Sequence, residues 1–208
     1  MISISINPKK IQSSKFHSKE FFFFFLLIAY AYLIADPLSA YFGAQGYQTS
    51  FTNTNGHIIL FSVVVTPFIE ELIFRTHLSG RREDIWSLPV MICVLLYIFF
   101  DINLYIMSVI LLTGLAGIIF FNKRISMFFL DRYFNYTFLF TSAGFALAHF
   151  GMVDIEIVHI KVLILFVSYF PISLYYGYIR KKYGLIWSIG THSLNNFTLI
   201  LFNTIIYA

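Results

Sequence analysis

Three polar groups interrupt the apolar stretches of this sequence: Glu70, Glu71 and Arg75; then Phe145 and His149; then His192, Asn195 and Asn196. At the centre of a bilayer such charged groups cost on the order of 2.5–3.5 kcal/mol each, so a membrane chain that keeps them uses them. Glutamate and histidine are the side chains that take a proton from water, or that hold a metal able to activate it. Residues four apart share one helix face. Glu71 and Arg75 have that spacing, as do Phe145 and His149, and His192 and Asn196. Glu70 lies about 100° around the helix from Glu71. Arg75 can therefore neutralise Glu71, and Glu70 is left free as a base or ligand.

One carboxylate and two imidazoles suit two mechanisms. In the first, Glu70 takes a proton from a water that attacks a peptide carbonyl, and His149 or His192 with Asn196 stabilises the oxyanion. In the second, Glu70, His149 and His192 ligate a zinc ion and leave one position open for water. The His-Glu-x-x-His signature of a single zinc-binding helix is absent, so any ligand set is scattered. Asn195 reads as interhelical hydrogen-bonding glue. His17, His57, His77 and His159 have no motif partners and read as loop or interface residues.

The elements that carry these groups are helices in lipid. Of 208 residues, 59% are hydrophobic, 20% aromatic and only 12% charged, against about a quarter charged in soluble domains. Mean hydropathy is +0.78. The expected fold is all-α, a polytopic membrane helical bundle forming one domain over 1–208. Cys93 is the only cysteine, which excludes an intrachain disulfide and a cysteine zinc site. The pI of about 9.1 is explained by basic residues kept in cytoplasmic loops, so no nucleic-acid partner is expected.

Apolar runs predict about seven transmembrane helices, at roughly 21–42, 57–78, 87–101, 103–121, 136–151, 157–179 and 184–207. Lys9, Lys10, Lys15 and Lys19 precede Phe21 in the manner of a signal peptide. The apolar run nevertheless continues to about Phe42, so an uncleaved first helix is expected. The Phe21–Phe25 run reads as lipid-facing bulk, and Asp36 before Pro37 as the outer end of that helix. With the N-terminus in the cytoplasm, every one of the 14 basic residues except Arg75 and Lys161 falls in an inside segment, as the positive-inside rule requires. Lys161, near Glu156 and Asp154, is expected to snorkel at the outer interface. Gly43 to Gly56 reads as an outer loop, and Ser126 to Tyr133 as an amphipathic stretch on the cytoplasmic surface. On this topology Glu70 and His192 lie roughly 15 Å from the cytoplasmic face, and His149 deeper.

Together the groups resemble the CPBP family, the CAAX-protease and bacteriocin-processing intramembrane peptidases, also called the Abi family. Its pattern is Glu-Glu-x-x-x-Arg, Phe-x-x-x-His and His-x-x-x-Asn, each on a membrane helix. The chain carries it at Glu70, Glu71 and Arg75, at Phe145 and His149, and at His192 and Asn196, with Pro67, Phe74 and Gly184 to Trp187 alongside. The resemblance covers about 57–207, leaving 1–56 as tail, first helix and outer loop. The long stretch between Arg75 and His149 makes 87–121 an inserted hairpin. The resemblance implies an endopeptidase in which Glu70 activates water, His149, His192 and Asn196 sit at the reaction centre, and Arg75 positions Glu71. The family is commonly labelled metalloprotease, and a metal-free glutamate-and-water mechanism is also an accepted reading of it. Zn2+ is therefore the candidate cofactor if one is used.

The site is expected in a cavity among the second, fifth, sixth and seventh helices, opening to the cytoplasm or sideways to lipid. Its partners are the bilayer and a peptide or lipidated protein: a CAAX protein, a bacteriocin leader or a pheromone precursor. The chain's character suggests a bacterial plasma membrane, and self-immunity is an allied role. The rival class is a non-catalytic immunity scaffold, or a proton-coupled transporter using the same glutamate and histidines as a relay. A transporter would often show internal repeats, and none is visible.

Overall fold

The computed structural model describes residues 18–42, 56–79, 81–100, 102–126 and 132–207. Among these residues seven helices follow one another and no strand occurs. They are α1 (Ser18–Tyr41), α2 (Gly56–Ser79), α3 (Ser87–Phe100), α4 (Leu104–Ser126), α5 (Phe134–Ala148), α6 (Val158–Tyr183) and α7 (Leu185–Tyr207). The fold is the expected all-α one. By length and composition α1, α2 and α6 can each cross a bilayer, while Asp84–Phe100 and Leu104–Ile119 are shorter apolar helices. Leu33, Tyr105, Ile119 and Ile186 point outward and are among the most exposed side chains. A lipid environment satisfies such an apolar coat, and water does not. The expected outer loop lies, apart from Gly56, outside the described residues, as do Lys9, Lys10 and Lys15 and most of the stretch from Ser126 to Tyr133.

The first helix differs from its expected form in two ways. Phe21, Phe22, Phe23 and Phe25 face outward, but Phe24 is only 1% exposed. With Ile28 it packs on Tyr175, Tyr176 and Ile179 of α6, so α1 is part of the core. Asp36 does not end the helix either. Residues 31–35 form a π-turn in which the Asp36 N–H bonds the Ala31 carbonyl, five residues back, and the helix then continues to Tyr41. Pro37 explains the device. Its ring clashes with the carbonyl four residues back and it has no N–H to give, and a wider turn just before it accommodates both deficits. α2 repeats the arrangement: Phe61–Val65 is a π-turn, the Thr66 N–H bonds the Phe61 carbonyl, and Pro67 follows.

Three junctions fix the remaining helices. α5 ends at Ala148, earlier than the sequence pattern predicts, and His149 is its C-cap with its N–H on the Ala146 carbonyl. α6 and α7 are joined by the single residue Gly184, whose φ of +100° suits glycine and reverses the chain in one step. Lys182 Nζ lies 2.6 Å from Glu20 Oε1, tying the last turn of α6 to the first turn of α1. A second core, of Phe74, Ile85, Leu88, Met91 and Phe145, joins α2, α3 and α5. His77, expected in a loop or at an interface, is instead fully buried, and its backbone and ring nitrogens both meet Ser87 Oγ at the start of α3.

α4 approaches α3 through Gly114. A Cβ at that position would lie 2.8 Å from Cβ of Pro89. The proline ring is fixed and cannot swing away, so Gly114→Ala should separate the two helices and cost about 1–3 kcal/mol. The check is the midpoint of thermal unfolding in detergent, and an unchanged midpoint would remove the close approach.

Candidate active site

α2 delivers Glu70, Glu71 and Arg75 to the centre of the bundle, and their partners sort the two glutamates. Glu71 is completely buried. Its Oε1 lies 2.5 Å from Arg75 Nη1 and 3.1 Å from His192 Nδ1, and Ser188 Oγ donates to its Oε2. Arg75 is equally enclosed. Its second nitrogen donates to Ser173 Oγ at 2.8 Å, and its guanidinium carbon lies 4.3 Å from the centre of the Phe145 ring and 5.2 Å from that of Tyr176. A planar cation over aromatic faces is attracted by their quadrupoles. The pairing expected from the four-residue spacing is present.

Glu70 has a different setting. It lines a cavity of about 640 Å³, and its side chain is 18% exposed. His149, His192, Asn195 and Asn196 line the same cavity. Glu70 Oε2 is 3.4 Å from His192 Nε2. His192 thus bridges the two carboxylates, one on each ring nitrogen. A carboxylate paired with arginine can only accept, so Nδ1 carries hydrogen toward Glu71 and Nε2 is the basic nitrogen toward Glu70. Glu70 Oε2 and His192 Nε2 therefore face each other across that gap. The contact with Glu71 fixes the orientation of the His192 ring through Nδ1.

His149 and Asn196 complete the wall. His149 Nδ1 lies 2.8 Å from the Phe145 carbonyl. A carbonyl accepts, so Nδ1 donates and Nε2 is left bare; the ring becomes a donor there on taking a proton. Its ring stacks on Tyr169 at 4.1 Å, and that of His192 stacks on Tyr176 at 4.5 Å. Phe145 stands between the two imidazoles, 4.8 Å from one and 5.7 Å from the other. Asn196 Nδ2 donates to the Ser62 carbonyl at 2.9 Å, a carbonyl inside the π-turn of α2. One amide hydrogen is held there, and the other is available to a ligand.

Sequence reasoning missed Ser173, Ser188, Tyr169 and Tyr176. Ser188 was legible: it lies four residues before His192, as Asn196 lies four after, so all three share a face of α7. Ser173, Tyr169 and Tyr176 lie on α6, whose part in the site no spacing announces. The cavity also reaches beyond the four expected helices, because Ala35, Asp36 and Ser39 of α1 line it.

Among the described residues no three His, Cys, Asp or Glu side chains converge on a common point.

No curated protein and no solved structure matches the chain. Residues 53–198 match a family described as type II CAAX prenyl endopeptidase Rce1-like. The matched span holds every residue of the three polar groups and most of the helices that position them. The chain is an integral membrane protein and belongs to the Rce1-like family of type II CAAX prenyl endopeptidases.

Proposed function

We propose that this chain is an intramembrane endopeptidase in which Glu70, coupled to His192, activates a water molecule against a peptide carbonyl. The observation that carries this reading is the division of labour between adjacent glutamates. Glu71 is sealed and fully partnered, whereas Glu70 faces the cavity with a basic imidazole nitrogen as its neighbour. In the resting state the pair holds one proton between them, which leaves one of the two able to accept. Water gives up a proton to the pair as its oxygen attacks, and the same proton is then returned to the departing amine. The carbonyl oxygen becomes an oxyanion. The free amide hydrogen of Asn196 is the donor that meets it. Glu71 and Arg75 act by holding His192 in one tautomer.

The cavity combines these groups with apolar walls from α1 and α6, among them Leu27 and Ile172. That lining suits a hydrophobic or lipid-anchored peptide segment in the bilayer of a bacterial plasma membrane. Bacteriocin leaders, pheromone precursors and CAAX-type tails all meet the description. The rest of the chain forms a single membrane domain, with α3 and α4 as a hairpin beside the site.

Comparing peptide termini in membranes of cells that express wild type or Glu70→Gln tests the reading and identifies the substrate. Termini present with wild type, and absent with the variant at matched protein levels, are the expected result. The same termini in both cells would leave a scaffold or proton relay as the role of these residues.

A further inference from the structure

Charge and cavity lie at opposite ends of the bundle. One end gathers the first turn of α1, the last turns of α2 and α6, the end of α4 and the starts of α3 and α5. Lys182 meets Glu20 there, and Arg180 donates to the Arg75 and Thr76 carbonyls at 3.1 and 3.2 Å. Lys181 Nζ lies 4.7 Å from the Phe134 ring centre, and Ile85, Ile125 and Tyr133 line one apolar pocket together. Lys19, Arg81, Arg124 and Arg132 belong to the same end by their positions in these helices. The other end gathers the last turns of α1 and α7, the start of α2 and the α5–α6 connection, where Leu38 and Phe42 pack beside Val153 and Ile155.

The cavity belongs to that second end. Ser39, Ala40, Gly151 and Asp154 line it, and Ala40, Gly151 and Asp154 are exposed. Toward the basic end its floor is closed. Phe74, Glu71, Arg75, Ser188 and Arg180 lie below Glu70 and His192, all buried. The π-turns of α1 and α2 border the open half, since Ala31, Ala35, Phe61 and Ser62 are all in its wall. Lys161, over the Phe150 ring at 4.3 Å, is a lone basic side chain at the open end among the described residues.

From this polarity we infer that the reaction centre is entered from the extracytoplasmic side, so that its substrate is a peptide segment presented at the outer face or in the outer leaflet. Basic residues stay with the cytoplasm, which puts the closed floor inside and the mouth outside. The inference rests on the endopeptidase reading for the word substrate, but its geometry stands without catalysis. A precursor peptide exported with its cleavage point on the outer side fits such a mouth. The cytoplasmic tail of a prenylated protein would meet the closed floor.

Cysteine labelling separates the two. With Cys93 replaced by alanine, the chain has no native thiol. Single cysteines are then placed at the mouth (Ala40→Cys, Asp154→Cys), in the cavity wall (Ser168→Cys) and at the basic end (Arg81→Cys). Cells with an accessible plasma membrane are treated with a membrane-impermeant maleimide before and after lysis. The expected result is labelling of the mouth and wall cysteines before lysis, and of Arg81→Cys only after it. Labelling of Arg81→Cys before lysis, with the mouth protected until lysis, overturns the inference. Repeating the labelling on a Glu70→Gln background keeps the questions apart. Outside labelling without Glu70-dependent termini would retain the access route and remove the protease.

Discussion

Glutamine at position 70 should lower the rate of peptide cleavage by roughly 10²–10⁴-fold, the range that a positioned general base contributes. His192→Gln should cost a similar factor, and the double variant should fall no further than the worse single one. The last point is the discriminating one. Glu70 Oε2 and His192 Nε2 lie 3.4 Å apart, and in the proposed mechanism they hold one proton between them, so removing either leaves the other without its partner, and residues that act as a unit lose their effect once. Two independently acting groups would instead give losses that multiply. Glutamine keeps the size and hydrogen-bonding capacity of Glu70, which is partly exposed to the cavity, so the unfolding midpoint of that variant should stay near wild type. The measurement is the initial rate on the cleaved peptide, with the protein in lipid discs. A double variant slower than both singles by the product of their factors would remove the shared proton from the mechanism.

Much of this centre can be read from spacing. Four-residue intervals pair Glu71 with Arg75 and put Ser188, His192 and Asn196 on one face of α7, because helical geometry is local. The helices themselves follow from apolar runs, since a chain in lipid must satisfy its backbone internally. The fate of Glu70 is local as well: one step around the helix takes it off the Arg75 face.

What could not be read is what depends on neighbours distant in sequence. The π-turn before Pro37 carries α1 past Asp36, so a residue that looks like a helix end becomes part of the cavity wall. Phe24 is chosen from five phenylalanines by the facing tyrosines of α6 and by nothing in its own run. The sequence pattern puts His149 deeper than Glu70 and inside a helix running to 151. Ending α5 at Ala148 makes it a cap whose ring turns back onto the Phe145 carbonyl. The two prolines, each with its π-turn, show how a local defect becomes a feature of the site: the irregular turn of α2 contains the Ser62 carbonyl that Asn196 holds.

Arg75→Met should be the most damaging single change to the fold, costing about 3–5 kcal/mol, because it leaves a buried carboxylate without its counter-ion. Glu71 is completely enclosed, and its other partners, Ser188 and His192, do not bring a permanent charge. Methionine fills the space of the side chain between Phe145 and Tyr176 but returns neither the ion pair nor the bond to Ser173. Arg75→Lys should rescue only part of the loss, since an ammonium has neither the planar fork nor the flat face that lies over Phe145. Arg75→Met combined with Glu71→Gln should be more stable than Arg75→Met alone, because the stranded charge is gone while glutamine still accepts from Ser188. Unfolding midpoints in detergent decide it, with wild type highest, the double variant next and Arg75→Met lowest. If the double variant unfolds below Arg75→Met, the carboxylate was not the burden, and the guanidinium holds α2, α5 and α6 together by packing and its bond to Ser173.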